Sequence, residues 1–197
     1  MSKMNPLTSK IIFIIGMILW LLVRIPYQKE QKKNTIVDDR KTIQEKLVRL
    51  LLLIGILFLP LIYVLSPWLN SVNYQLPIWA NVLGIAALML SLWLFWRSHH
   101  DLGKNWSSTL QIREGHTLTT NGVYQNIRHP MYASVLLLCV AQALLLPNWI
   151  AGLSGFIGFS IAYATRVNQE EQMLLDRFGD EYEAYRQSTK RLVPYLF

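Results

Sequence analysis

Arg128, His129 and Tyr132 stand where a polar stretch gives way to a long apolar run, with Pro130 among them. A residue before proline is driven to extended geometry, and proline itself suits the first position of a helix. The block Arg128-His129-Pro130-Met131-Tyr132 therefore reads as the lip of a helix, where free backbone N–H groups and the helix dipole favour an anion. A second cluster, Arg166, Asn168, Gln169, Glu170 and Glu171, closes the same apolar run. Together they are the parts of a reaction site at a bilayer surface: a guanidinium to orient an acidic group, carboxylates to hold an amine or move a proton, and aromatic rings to face a cation. Ionisable groups beside hydrocarbon are costly, and function is the usual reason to keep them. Each cluster also has a plainer reading. Arg128 can be a membrane anchor with His129 and Tyr132 as interface residues, and Arg166, four residues before Glu170, can be self-paired on a solvated helix.

The elements that must position these residues are apolar. The chain of 197 residues is 52% hydrophobic and 16% charged, below the roughly 25% charged of soluble domains. Seven Trp and nine Tyr suit interfacial aromatic belts. Uncharged runs predict membrane helices at about 8–27, 48–69 and 78–97. The run Tyr132 to Thr165 is uncharged for 34 residues, too long for one span and slightly short for two. With Pro147-Asn148 near its middle it reads as a tight helical hairpin, 132–165, with arms Tyr132 to Leu146 and Trp149 to Thr165. Gly152, Gly155 and Gly158 on the second arm permit close helix packing. The first run lacks a small-residue cleavage site and reads as a retained helix. The tail 168–187 carries Leu174, Phe178, Tyr182 and Tyr185 at helical spacing, interrupted by Gly179, and reads as an amphipathic helix. The expected fold is an all-α integral membrane protein of about five transmembrane helices. Residues 1–97 supply the N-terminal helices, and residues 98–197 hold a cytoplasmic loop, the hairpin and the tail helix.

Charge placement orients this arrangement. Of the 19 basic residues, 17 fall in three segments on one side, leaving only Lys3 and Lys10; the connection Ser66 to Pro77 and the tip Pro147-Asn148 carry no charge. The positive-inside rule puts the basic segments, the C-terminus and both clusters in the cytoplasm and the N-terminus outside. The net charge of +7 is thus topology and attraction to anionic lipid. Basic residues spread over three segments and mixed with acids argue against nucleic acid.

The remaining candidates read plainly. Cys139 lies in an apolar run and excludes an internal disulfide. His99-His100 cannot share a helix face and is expected at the interface. Trp106 reads as an interfacial anchor before a pocket-mouth residue, and His116 as a loop residue. Glu45 and Asp38-Asp39 are expected to be solvated. The polar loop 98–128 has room for short strands near Thr109 to Ile112. No Cys or His pattern has metal-ligand spacing.

The two blocks, in order, carry a resemblance. Leu102-Gly103-Lys104-Asn105-Trp106-Ser107, Arg113-Glu114-Gly115-His116 and Thr120-Asn121-Gly122-Val123-Tyr124 lead into Arg128-His129-Pro130-Met131-Tyr132. Then follow Arg166, Glu170-Glu171, Phe178-Gly179-Asp180-Glu181-Tyr182, Tyr185 and Pro194. This resembles the isoprenylcysteine carboxyl methyltransferases, integral-membrane enzymes related to phospholipid N-methyltransferases, over roughly the C-terminal half. The resemblance implies S-adenosylmethionine as methyl donor in a cytoplasmic pocket without a Rossmann domain. It implies His129 and Tyr132 in contact with the cofactor, Tyr124 and Arg128 supporting the pocket, and Glu170 at the cofactor's amino-acid end. Arg166 and Glu171 would face the reacting group as catalytic residues. Ser134 departs from the Gly that the family often has there. Sterol reductases share the Arg-His-Pro-x-Tyr block.

Two chemistries fit that reading. A carboxylate acceptor is already ionised and needs only a cation, Arg166, to orient it. An amine acceptor must lose a proton, and Glu171 is then the candidate base. The expected partners are the bilayer and a lipophilic or lipidated acceptor. A nicotinamide-binding reductase and a non-enzymatic membrane scaffold using the tail stripe are the alternatives from other classes.

Overall fold

The computed structural model describes residues 4–31, 35–40, 42–107 and 109–194, the Arg113 side chain excepted. Lys3, Lys32, Lys33 and Lys41 of the charge pattern lie outside the described residues.

The first helix, α1 (Pro6–Gln31), begins where Asn5 Oδ1 accepts a hydrogen bond from the Leu7 N–H (2.9 Å). Phe13, Met17 and Trp20 recur at helical spacing and are buried, while Ile11, Ile15, Ile18 and Leu22 form an exposed apolar stripe, as a lipid-facing helix requires. The second, α2 (Ile43–Leu53), starts at Thr42, whose side chain accepts from the Glu45 N–H at 3.1 Å, a Thr-x-x-Glu start signal. It widens through a π turn, Ile54–Phe58, into α3 (Leu59–Leu65). Pro60 has no N–H to return to the turn before it, which is where such a break belongs. A fourth helix, α4 (Ile78–Leu102), stops on Gly103 at φ +49°. Then come α5 (Pro130–Leu145), α6 (Ser154–Phe178) and α7 (Asp180–Ser188).

The protein is mostly helical, with one departure. Strand β1 (Ile36–Asp39) pairs antiparallel with β2 (Gln111–Arg113). The second strand falls near the expected Thr109 to Ile112; the first was not foreseen. Among the described residues, three helices, Pro6–Gln31, Ile43–Leu65 and Ile78–Asn105, are long and apolar enough to cross a membrane. With 16 residues, α5 is about 24 Å long, less than the roughly 30 Å hydrocarbon layer.

The hairpin differs from expectation at its tip. Asn148 is buried, and its Oδ1 accepts from the N–H groups of Ile150 (3.1 Å) and Ala151 (2.9 Å). This folds residues 149–153 into turns, so the second arm starts at Ser154 and Gly152 lies outside it. Gly158 remains a close-packing site: a Cβ there would meet Leu52 Cα at 3.0 Å. The second arm then runs without a break through the acidic cluster to Phe178. The expected tail helix 168–187 is split at Gly179, which adopts φ +54° and turns the chain into α7.

The two uncharged connections meet at one end of the bundle. Asn148 Nδ2 donates to Leu69 O (2.6 Å) and Asn73 Oδ1 (2.8 Å), and the Tyr74 N–H donates to Pro147 O (3.0 Å). The β pair, the loop after α4, the end of α6 and α7 gather at the other. Between the ends, Gln142 on α5 is a buried tie. Its Nε2 donates to Gly55 O in the π turn (2.9 Å) and to Ala151 O (2.6 Å). Gln142→Leu strips both carbonyls of this donor and should cost about 1–3 kcal/mol. The expected result is a lower thermal midpoint in detergent; an unchanged midpoint would remove this tie from the account.

Candidate functional site

The Arg-His-Pro-x-Tyr block is held from behind by the chain's tail. The Arg128 N–H donates to Lys190 O (2.7 Å) and the His129 N–H to Arg191 O (3.0 Å). The Tyr185 hydroxyl donates to Tyr124 O (2.6 Å). His129 is the N-cap of α5 and Pro130 its first helical residue, the lip geometry read from the sequence.

Glu171 sits at the centre of this assembly. Its Oε1 accepts from Arg128 Nε (3.1 Å), faces His129 Nε2 (3.1 Å) and accepts from Arg191 Nε (3.2 Å); its Oε2 accepts from Arg191 Nη2 (2.6 Å). Arg128 Nη1 also donates to the carbonyls of Arg186 (2.9 Å) and Thr189. Burial by itself would raise the Glu171 carboxyl. The hydrogen bonds from His129 and Arg191 and the charges of His129 and Arg128 outweigh it, holding the carboxyl at about 2. Glu171 is absent from the cavity lining described below, so its expected position facing the reacting group is not what this geometry gives.

The neighbouring acid points elsewhere. Successive residues on a helix project about 100° apart, and Glu170 lies on the cavity side of α6, accepting the Tyr132 hydroxyl on Oε2 (2.9 Å). The Tyr132 ring meets His129 and Tyr163 edge-on, each at 5.5 Å between centroids. Arg166 also lines the cavity, but its partner is not Glu170. Its Nη2 lies 3.5 Å from Glu45 Oε1, which also accepts from the Leu110 N–H (3.3 Å). Glu45 is buried rather than solvated. Thr42-x-x-Glu45 marks a helix start, but no local signal links it to an arginine 121 positions later.

These side chains open onto a cavity of about 790 Å³. Its polar end holds Arg166, Glu170, Tyr132, Tyr124, Tyr182 and His116; its apolar end is walled by Trp20, Leu53, Ile56, Val135 and Phe159. Trp106 is buried on this wall and not at the interface, with Nε1 donating to Met131 Sδ (3.4 Å). His99 is likewise buried, packed among Phe95, Tyr27 and Trp106 with Nδ1 against Phe95 O (2.9 Å), while His100 is exposed beside Asp101. His116 packs against Phe178 at a tilt, with centroids 5.8 Å apart. Cys139 is buried in the core, as expected. Ser134 is buried with its hydroxyl donated to Met131 O (2.7 Å) and its carbonyl accepting from Ser91 (2.7 Å), so the residue larger than Gly is accommodated. Sequence reading missed Arg24, Arg49 and Arg191, which it counted only as topology.

Residues 81–176, just under half of the chain, match the model of the Isoprenylcysteine carboxyl methyltransferase (ICMT) family. Protein-S-isoprenylcysteine O-methyltransferase B of Arabidopsis thaliana is 30% identical over 120 residues, covering 60% of this chain and 61% of the relative. The Dictyostelium discoideum protein-S-isoprenylcysteine O-methyltransferase is 34% identical over 98 residues, 47% of this chain and 40% of the relative. The human protein of that name is 28% identical over 120 residues, 60% and 42%. The matches thus span about three fifths or less of each relative's length. The solved structure of a eukaryotic intramembrane Ras methyltransferase, an isoprenylcysteine carboxyl methyltransferase, shares the fold with a TM-score of 0.53 at 21% identity, over 81% of this chain and 55% of that one.

The Glu171 carboxyl has a direct consequence for stability. Held at about 2 against an ordinary 4.5, it stabilises the fold above pH 4.5, and that contribution of about 3 kcal/mol is lost as pH falls toward 2. Wild-type protein in detergent should lose thermal midpoint steadily from pH 4.5 to 2. Glu171→Gln should start lower and be flatter across that window; parallel curves would show that another acid carries the effect.

Proposed function

We propose that the protein is an S-adenosylmethionine-dependent membrane methyltransferase of the isoprenylcysteine carboxyl O-methyltransferase type, acting on a lipophilic acceptor. The observation that carries this is a single cavity in which Glu170, Tyr132 and Arg166 meet an apolar chamber. In this reading residues 98–197 are the methyltransferase core, residues 1–97 carry it, and α5 and α6 join the three apolar helices as five membrane segments. The basic end, with the C-terminus and the cavity mouth, faces the cytoplasm, and the N-terminus lies outside.

The residues fit the cofactor. A carboxylate, Glu170, faces the cavity where an ammonium would lie, and two buried polar atoms of the lining, Arg166 Nε and Tyr182 Oη, lack partners and would accommodate a carboxylate and a polar edge. When bound, S-adenosylmethionine supplies a methyl group on an already activated sulfonium. The protein's task is to align the acceptor and remove water. Tyr132 fixes the Glu170 carboxylate through its hydroxyl, and the cavity places aromatic rings near a developing or fixed cation. Arg166, braced by Glu45, orients the acceptor's acidic oxygen. Tyr124 and Arg128 support the pocket through the tail, and His129 bridges from the cavity edge to Glu171.

The amine alternative needs Glu171 as base. A carboxyl held at about 2 by its hydrogen bonds with His129 and Arg191 and by the Arg128 guanidinium is a poor proton acceptor at neutral pH, which favours a carboxylate nucleophile. The test is saturable binding of labelled S-adenosylmethionine to the purified chain, followed by methyl transfer into membrane lipids or lipidated peptides. Glu170→Gln is expected to weaken cofactor binding about tenfold or more, as loss of a charged hydrogen bond costs roughly 1.5–3 kcal/mol. Tyr132→Phe should weaken it less. A folded wild-type protein that does not bind the cofactor would defeat the reading, and label recovered as N-methyl product would favour the amine alternative.

A further inference from the structure

Asp101 is a buried acid outside the site described above. It sits in the last turn of α4 with its side chain 6% exposed, and it does not line the cavity. A carboxylate at a helix C-terminus works against the helix dipole, and withdrawing it from water adds to that cost. Two neighbours on its own helix offset the charge. Arg97 Nε lies 3.3 Å from Oδ2, and His100 Nδ1 lies 3.2 Å from Oδ1. Another contact reaches 22 residues along the chain, where Oδ2 accepts the Val123 N–H at 2.9 Å.

That bond caps a turn that does not cap itself. The 3-10 turn Gly122–Gln125 starts after Asn121, whose side chain makes no cap hydrogen bond. Gly122 is required there on two counts: its φ is +59°, and a Cβ would collide with the Asp101 carboxylate. Acid and glycine are thus a fitted pair. The turn passes its position on. Val123 O accepts the N–H groups of Asn126 (3.3 Å) and Ile127 (3.4 Å), which lead into Arg128 and His129. Tyr124, next after the capped amide, is buried and lines the cavity. Its carbonyl accepts the Tyr185 hydroxyl (2.6 Å), and its own hydroxyl lies beside Ser98, also near the end of α4. Burial above all, then the charge of Glu170, with Asp101 adding to it, raises the Tyr124 phenol well above its usual range, so it stays a neutral hydrogen-bond donor.

We infer that Asp101 is a positioning residue: from the end of α4 its carboxylate seats the Gly122–Gln125 turn and so sets Tyr124 at the geometry that binds the methyl donor. The inference rests on the methyltransferase reading for the identity of that ligand. Asp101 acts on binding only through Tyr124, because it has no place on the cavity wall.

Two measurements on the full chain in detergent test this. One is hydrogen–deuterium exchange of the cofactor-free protein, read on peptides spanning residues 122–129. The other is equilibrium binding of labelled S-adenosylmethionine. Asp101→Ala should speed that exchange about tenfold and weaken binding about tenfold, as expected for one lost hydrogen bond to a charged group. Asp101→Asn keeps an oxygen for the Val123 N–H and should change either by about threefold or less. In a Tyr124→Phe background Asp101→Ala should add little further loss of binding, whereas with Glu170→Gln, which acts from α6, the two losses should multiply. Unchanged exchange in Asp101→Ala would remove the seat. Faster exchange with unchanged cofactor binding would leave a structural anchor and overturn the positioning role, and so would losses that multiply with Tyr124→Phe. If Asp101→Ala does not fold, Gly122→Ala, whose Cβ drives the carboxylate off the turn, carries the same test. Wild-type protein that binds no cofactor while the exchange contrast holds would discard the methyltransferase reading and keep the seat. Cofactor binding that ignores Asp101 would do the reverse.

Discussion

One carboxylate with two guanidiniums and an imidazole around it holds this end of the protein together. Glu171 on α6 draws in Arg128 and His129 from the lip of α5 and Arg191 from the segment after α7. Those pieces of chain also meet in a small apolar cluster of Ile127, Ala133 and Leu192. The buried ionic cluster adds to it, with each carboxylate oxygen hydrogen-bonded, the condition under which such a cluster offsets its desolvation. With the lip pinned there, Tyr132 falls in the first turn of α5 and its hydroxyl meets Glu170.

The two adjacent acids thereby acquire different characters from one helical rotation. Glu171 is saturated and inward; Glu170 turns about 100° away and keeps its carboxylate on the cavity. Arg166 sits one turn earlier on the cavity side of the helix and is spoken for on one side by Glu45. Beside the cavity, Arg166 is braced by Glu45 and Glu170 by the Tyr132 hydroxyl. Preorganised groups of this kind cost little reorganisation when a substrate arrives.

The sequence carried a good part of this, and the residues show which part. Uncharged runs located the three apolar helices because spanning length leaves an unmistakable tract without charge. Alternation of basic and uncharged connections sorted the two ends of the bundle. The Arg128–Tyr132 block and the Arg166–Glu171 cluster were legible as two edges of one site because proline and the apolar run fix where each helix begins and ends. What could not be read was partner choice. Arg166 has an acid four residues on, the textual signature of a helical ion pair, yet it pairs with Glu45 from another helix. Glu45 looked solvated because its surroundings, Leu110 and α6, are distant in the chain. Gly179 carried a visible break signal, but a stripe of apolar residues ran across it, and only the positive φ decides between a bend and a continuous helix.

The Glu45–Arg166 contact makes the two halves of the chain unequal in independence. The C-terminal half contains the recognisable blocks, yet its arginine is braced, and a backbone N–H of its loop capped, by an acid on the second helix. The N-terminal helices are thus more than an anchor that any hydrophobic pair could replace. A recombinant exchange of residues 1–97 for foreign membrane helices would have to deliver an acid at the same depth, or leave a cation stranded in the chamber. Such a constraint ties the drift of the poorly matched half to that of the well matched one, through a pair that no motif contains.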